Sequence, residues 1–206
     1  MDYGVEPARA QRHSADVVAL PAAQQWGGRP LLEALNLRRS SREFGAEALP
    51  AAVLSNLLWA AFGVNRPDTG GRTAPSAHDW EEIDVYVAMK SGLYLYDADG
   101  HVLRKRFARD IRASTGLQPF VAEAPLDLVY VADLSRMDEA SAEEKAQYAG
   151  PDAGFIAQNV YLFCASEGLA TVVRGMVDRP ALARLMGLSA QQSIILAQSV
   201  GYPAAL

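Results

Sequence analysis

The stretch DAGFIAQNVYLFCASEG, Asp152 to Gly168, constrains the fold more than any other. Ile156, Val160, Phe163 and Cys164 recur at helical spacing; Asp152 is placed to cap the start and Gly168 to stop the helix. Apolar residues surround most of its circumference, which predicts a central, buried helix. Other elements must then cover it on several sides. LATVVRGMV follows at once as a strand and RPALARLMG as a short helix. SIILAQSVGYP is almost continuously apolar, the pattern of a buried final strand.

Upstream, Pro30 suits the first turn of a helix in which Leu31, Leu32 and Leu35 recur, ending near Arg39. LPAAVLSNLLWAAFG reads as a second helix, with Val53, Leu54, Leu57, Leu58 and Ala61 on one face, Trp59 and Phe62 as packing residues, and Gly63 as its stop. NRPDTGGRTAPSAHDWEE is a long polar loop, of the length that is often functional inside a compact domain. IDVYVAM is a strand, and GLYLYDADGHVLR a hairpin turning at DADG, with Tyr94 and Tyr96 as ordinary strand residues. A short basic helix is expected from Arg104 to Ala113, a strand at PLDLVYVAD, and a mobile surface helix over residues 138–149. The order is that of an α+β fold, a central sheet with helices packed on it. Residues 1–29 lack a sustained period and read as an extended arm, either laid on a partner or frayed; residues 30–206 form one domain.

A chain of 206 residues, 50% hydrophobic, can bury a substantial core. Its formal charge of −5 gives no global reason to bind nucleic acid or an anionic membrane. No apolar run approaches the roughly 20 residues of a membrane span. The start lacks a secretory pattern, so a cytoplasmic location is expected. Cys164 reads as a buried small hydrophobe, no Cys/His cluster has zinc spacing, and no metal is expected. G-x-S-x-G, H-E-x-x-H, the phosphate loop and the G-x-G-x-x-G fingerprint are all absent.

What remains is RRSSREF, Arg38 to Phe44, with three arginines and two serines in seven residues. Arginine forks and a serine hydroxyl at the end of a helix match the oxygens of a phosphate monoester. Arginines at a helix end also favour the helix dipole. An anion site and a solvated helix end therefore both remain open on the chemistry alone.

Four blocks, LLEALNLRRSSREF, TAPSAHDWEEIDVYVA, AGFIAQNVYLFCASEGLATVVRGMVD and SIILAQSVGYP, stand in this order across residues 30–203. In that order the chain resembles the FMN-dependent nitroreductase family, closest to its compact members, among which are azoline dehydrogenases. The resemblance implies an α+β sandwich, a mostly antiparallel central sheet flanked by helices, and a homodimer with FMN at the subunit interface. It assigns Arg38, Arg39 and Ser40 to the phosphate and ribityl end, and Arg42 to the pyrimidine at N1 and the C2 carbonyl. A fixed cation there stabilises the negative charge that hydride reduction leaves. Pro75, Ser76, Asp79 and Glu81 match the loop that contacts flavin from the partner chain. Arg174 and Gly175 match the strand end whose backbone amides face N5, and Gln118 is a further pyrimidine contact.

Two departures stand out. Relatives carry amides where this chain has Asp79 and Glu81. An ionised carboxylate only accepts hydrogen bonds, so Asp79 suits flavin N3–H and Glu81 suits an arginine. The chain also ends VGYPAAL, without the basic residues that follow the last strand in many relatives. Trp80 reads either as a residue that stacks near the flavin or lines the substrate pocket, or as a loop anchor packed on the partner subunit, and Asn159 and Tyr161 as residues of the dimer seam. The implied activity is transfer of hydride from NAD(P)H, bound transiently, to a nitroaromatic, quinone or other conjugated acceptor in the same pocket, with ping-pong kinetics. The rival readings are an azoline-type dehydrogenase, for which Lys145 and Tyr148 are the nearest lysine–tyrosine pair, and a flavin-binding module without turnover.

Overall fold

Period-two alternation along LDLVYVAD sends Leu128 and Tyr130 to one side and Val129 and Val131 to the other, and all four are buried. A strand buried on both faces needs a layer on each. The computed structural model, which describes residues 16–204, supplies them. Seven antiparallel strands form the sheet: β1 (Val17–Ala19), β4 (Ile83–Met89), β5 (Gly92–Asp97), β6 (Val102–Phe107), β7 (Leu126–Asp133), β8 (Ala170–Arg174) and β9 (Gln192–Gly201). Their order is β1-β6-β5-β4-β7-β9-β8, with β4 in the middle and β7 beside it. β2 (Val64–Arg66) and β3 (Gly71–Arg72) make a separate small hairpin inside the long polar loop.

α2 (Ala51–Phe62) and α3 (Ala142–Glu167) cover one face, where Leu57, Leu58, Ile156 and Val160 meet Val85, Val87, Leu128 and Tyr130. α4 (Arg179–Met186) covers the other, where Leu182 and Met186 meet Val129, Val131 and Ile194. This is the α+β sandwich expected from the sequence. α1 (Leu31–Leu37) packs on α3 but buries only Ala34, leaving Leu31, Leu32, Leu35 and Leu37 exposed.

Three local expectations are corrected. The basic helix from Arg104 to Ala113 does not form: β6 occupies Val102–Phe107 between β5 and β1. Ladder bonds to two neighbours outweigh the helical reading, and Arg104 meets Asp97 across the hairpin. Asp152 is not an N-cap. α3 begins ten residues earlier, where Ser141 and Glu144 form a reciprocal capping box, and it runs through Pro151. The surface helix over 138–149 is therefore the first part of the central one. Gly168 ends it as expected, in the left-handed conformation at φ 72°. Within the chain Asn159 donates to the carbonyls of Ala61 (3.5 Å) and Thr73 (3.3 Å), and the Tyr161 hydroxyl accepts from the Val173 amide of β8 (2.9 Å).

The described part of the N-terminal arm lies on its own chain. β1 pairs with β6, the Gln24 amide donates to Asn56 Oδ1 (2.8 Å), and the Arg29 amide donates to Ser166 Oγ (2.8 Å). Residues 1–15 lie outside the described residues. A relay fastens arm, helix and hairpin. The buried Ser55 hydroxyl donates to the Pro21 carbonyl (2.6 Å) and accepts from His101 Nε2 (2.7 Å), while His101 Nδ1 meets the Tyr96 hydroxyl (2.9 Å). Ser55→Ala strands both partners and is expected to cost about 1–3 kcal/mol in urea denaturation. Burial holds the His101 imidazole below its ordinary value. Folding thus favours neutral His101; its stabilisation is full above the unfolded value of about 6.5 and is lost as pH falls below it. His101→Asn should lack that part of the acid slope, since Asn tolerates the positive φ of 46° found there.

Candidate functional site

The first group of expected site residues is set by the exit from α1. Arg38 leaves the helix extended (ψ 124°), and the chain then runs beside β8, with the Ser41 amide donating to the Thr171 carbonyl (2.9 Å). Tyr161 of α3 is the hub. Its hydroxyl accepts from the Val173 amide (2.9 Å), which leaves its proton for Ser40 Oγ (2.7 Å). Its ring lies 5.3 Å below the Arg38 guanidinium. Ser40 is thus held by a side chain that is itself held by the sheet. Arg39 and Ser41 line a cavity of about 230 Å³ with Arg29 and Thr171. Arg42 is exposed. Among the described residues, Arg38, Arg39 and Arg42 form no ion pair, so the strip carries three uncompensated positive charges.

The end of β8 joins this group. Gly175 is exposed, and a Cβ built there would meet nothing within 4 Å. The Leu117 amide donates to the Met176 carbonyl (3.1 Å), which brings Gln118 to the same strand end; Gln118 Oε1 is buried and unpartnered. Arg174 reaches this place with its backbone alone. Its side chain, 2% exposed, turns into the core and donates to the Thr115 carbonyl (2.7 Å) and to Asp127 Oδ1 (2.8 Å). Ser199 Oγ also donates to Asp127. Burial pushes the Asp127 carboxyl up to about 7, against the pull of Arg174 and Ser199. Gly116 packs so closely on the Arg174 guanidinium that a Cβ there would collide with it.

Pro75, Ser76, Asp79 and Glu81 form a second group. His78, Asp79 and Glu81 have φ of 51°, 57° and 47°, a left-handed conformation that costs a non-glycine residue roughly 1–2 kcal/mol. Such a loop persists only when its surroundings over-determine it. The Ser76 hydroxyl accepts from the Glu81 amide (2.8 Å), the Ala77 amide donates to Asp152 Oδ2 (2.8 Å), and Arg136 donates to the Glu81 carbonyl (2.7 Å). Glu81 pairs with Arg72 (2.7 Å), the arginine partner its charge called for, and Asp79 stays exposed. Trp80 is packed within its own chain by His78 (4.5 Å) and Tyr148 (5.8 Å). Lys145 lines a separate groove with Leu134 and Ile194.

Within one chain the two groups do not meet. The first rests on α3 at Tyr161 and the second at Asp152, so at about 1.5 Å per residue they stand roughly 13 Å apart along the helix. Tyr161, Asp152, Glu82, Arg72 and Asp127 are the site-shaping residues that sequence reasoning missed. Only Asp152 had a sequence signal, the Ser141-x-x-Glu144 box that places it inside the helix. Cys164 is fully buried and its thiol is pushed well up by burial, which leaves it inert.

The model of the Nitroreductase family matches residues 35–202, a span that holds both groups. This chain belongs to the nitroreductase family. Over 155 residues it is 32% identical to MJ1384 of Methanocaldococcus jannaschii, a protein named provisionally as a nitroreductase, covering 70% of this chain and 78% of that one. A crystal structure from Ralstonia eutropha JMP134, provisionally named a nitroreductase too, is 46% identical, with a TM-score of 0.90 over 99% of this chain and 97% of its own. The NADPH:FMN oxidoreductase of Vibrio harveyi complexed with NAD+ is 20% identical, with a TM-score of 0.65 over 85% of this chain and 69% of that chain, a likeness of fold. The nitroreductase-family chain is thereby an oxidoreductase of the general flavin type. Among the described residues no helix is long and apolar enough to cross a membrane.

Proposed function

We propose that this protein is a homodimeric, FMN-dependent oxidoreductase that takes hydride from NAD(P)H and reduces a nitroaromatic, quinone or similar conjugated acceptor. The observation that carries the reading is the uncompensated strip of Arg38, Arg39 and Arg42, with Ser40 fixed by Tyr161, beside the open strand end at Gly175. The residues fit the cofactor: the strip lacks a counter-ion, Gly175 leaves room for a ring, and Gln118 Oε1 is an orphaned acceptor. Arg38, Arg39 and Ser40 hold the phosphate, and Arg42 supplies fixed positive charge towards the pyrimidine. The backbone of Arg174 and Gly175 faces the ring, with Gln118 beside it. Bound FMN supplies a two-electron hydride carrier.

Two features favour a pair of chains. Pro75, Ser76, Asp79 and Glu81 rest on α3 roughly 13 Å along the helix from the strip and, in this reading, contact the partner's cofactor. Leu31, Leu32, Leu35 and Leu37, and Trp26 at 87% exposure, are also large apolar side chains left exposed, as a surface covered by a second copy would be. Glu81 is neutralised by Arg72 and does not repel the cofactor, while Asp79 is free to accept from the ring N3–H.

Purified protein should be yellow and release FMN on denaturation, and under anaerobic conditions NADH or NADPH should bleach it. Colourless protein that ignores added FMN overturns the reading. Bleaching by a peptide heterocycle, with neither nicotinamide effective, replaces it with the azoline dehydrogenase, and FMN binding without bleaching by any of these leaves a binding module.

A further inference from the structure

Beneath the strained loop lie two carboxyl groups with no cation between them. Glu82 is 0% exposed and Asp152 is 3% exposed. Glu82 Oε2 accepts from Ser76 Oγ (3.3 Å), Glu82 Oε1 has no partner, and Asp152 Oδ2 accepts from the Ala77 amide (2.8 Å). The same Ser76 hydroxyl accepts from the Glu81 amide. Both ends of the left-handed turn are thus tied to this pair. The groups packed around it are accounted for elsewhere. Arg72 is taken by Glu81 and Asp99, and Arg136 by Asp84 and the Glu81 carbonyl. The Asp133 amide donates to the Glu82 carbonyl, while its side chain takes Ser135. From the loop itself His78 stacks on Trp80, and from α3 Tyr148 meets both rings edge-on. Among the described residues no cation pairs with Glu82 or Asp152.

A buried carboxylate without a counter-ion ionises only at a cost, and a second carboxyl nearby raises that cost. We propose that Glu82, buried beside Asp152, keeps its proton and so positions the Pro75–Glu81 loop, releasing it when that proton is lost. Burial, and secondarily the charge of Asp152, holds the Glu82 carboxyl above the ordinary glutamate range. Folding therefore favours protonated Glu82, and the stabilisation it lends is full below the unfolded value of about 4.3 and is lost as pH rises through the raised folded value. Where this bears on FMN it rests on the proposed flavin reading, in which the loop serves the partner's cofactor. Glu82 and Asp152 are positioning residues: they act on the cofactor only through the loop.

The test follows the loop and the cofactor separately. In protein labelled with 5-fluorotryptophan, the 19F line of Trp80, assigned with Trp80→Phe, is followed from acid to neutral pH without FMN. The wild-type line should shift with a midpoint above about 4.3. His78→Gln should keep that shift, and Glu82→Gln, which mimics the protonated state, should abolish it. Asp152→Asn, which keeps an acceptor for Ala77, should lower the midpoint. FMN titrations should then show wild-type affinity falling relative to Glu82→Gln on the alkaline side. The difference expected is about tenfold, the factor that one pK unit of coupling carries. A shift that survives Glu82→Gln, or one that vanishes in His78→Gln, overturns the latch. An alkaline loss of FMN affinity equal in wild type and Glu82→Gln overturns its action on the cofactor. Absence of FMN binding at every pH overturns the flavin reading instead, and the Trp80 line in cofactor-free protein still decides the latch.

Discussion

Changing Arg38 and Ser40 to alanine is expected to strip FMN from the protein while leaving the fold in place. Among the described residues Arg38 has no ionic partner, so its removal breaks no salt bridge. What it gives up in the free protein is the stacking over Tyr161, worth about 0.5–1 kcal/mol at an exposed site. Ser40 gives up its bond to the Tyr161 hydroxyl, which keeps the Val173 amide as a partner. Towards a phosphate the sums differ. A hydrogen bond to a charged group contributes about 1.5–3 kcal/mol and a neutral one about 0.5–1.5. The double variant should therefore bind FMN roughly 30- to 1,600-fold more weakly, at 1.4 kcal/mol per tenfold. Fluorescence titration with FMN measures the loss, and denaturation of the cofactor-free protein checks the fold. A solvated helix end would show almost no change in either, and wild-type retention of FMN by the double variant would remove the phosphate assignment.

Asp127→Ala should be the most damaging single change outside the apolar core. Asp127 is fully buried, and it is the acceptor for both Arg174 and Ser199. Its removal leaves a buried guanidinium uncompensated, which typically costs about 3–5 kcal/mol. For a chain of this size that lowers Tm by roughly 6–20 °C, at about 2–4 °C per kcal/mol. The damage should reach the site as well. Arg174 is the clamp that joins Thr115 to the end of β8, and Gln118 follows three residues later. Replacing both partners, Asp127→Leu with Arg174→Met, should recover most of the stability, because no stranded charge remains. Denaturant midpoints of the three proteins give the comparison; a single variant within about 1 kcal/mol of wild type would show that the pair does not hold this corner.

The two halves of the site were legible in the sequence to different degrees. Arg38, Ser40 and Arg42 stood out because the density of charge in RRSSREF is a local fact, and the structure leaves that charge without a partner. Glu81 was read as needing an arginine, yet the sequence did not say which; Arg72 becomes the partner because β3 delivers it under the loop. Arg174 was placed at the strand end on the strength of its motif, but the direction of its side chain depends on Asp127, 47 positions earlier in the chain. Tyr161 sat on a helix of apolar neighbours and looked like seam or core, and only the approach of β8 makes its hydroxyl a hub.

The sequence by itself determined the family, the α+β order, the central buried helix and its stop at Gly168, the apolar strands β4, β7 and β9, and the cationic strip after α1. These follow from signals carried within a few residues: hydrophobic period, capping chemistry and charge density. Only the tertiary structure decided that the basic run at residues 102–107 is a strand, since its hydrogen bonds come from β5 and β1 rather than from its own turns. It alone decided that Glu82 and Asp152 meet, 70 positions apart, because the cost of burying a carboxyl depends on what the rest of the fold packs beside it.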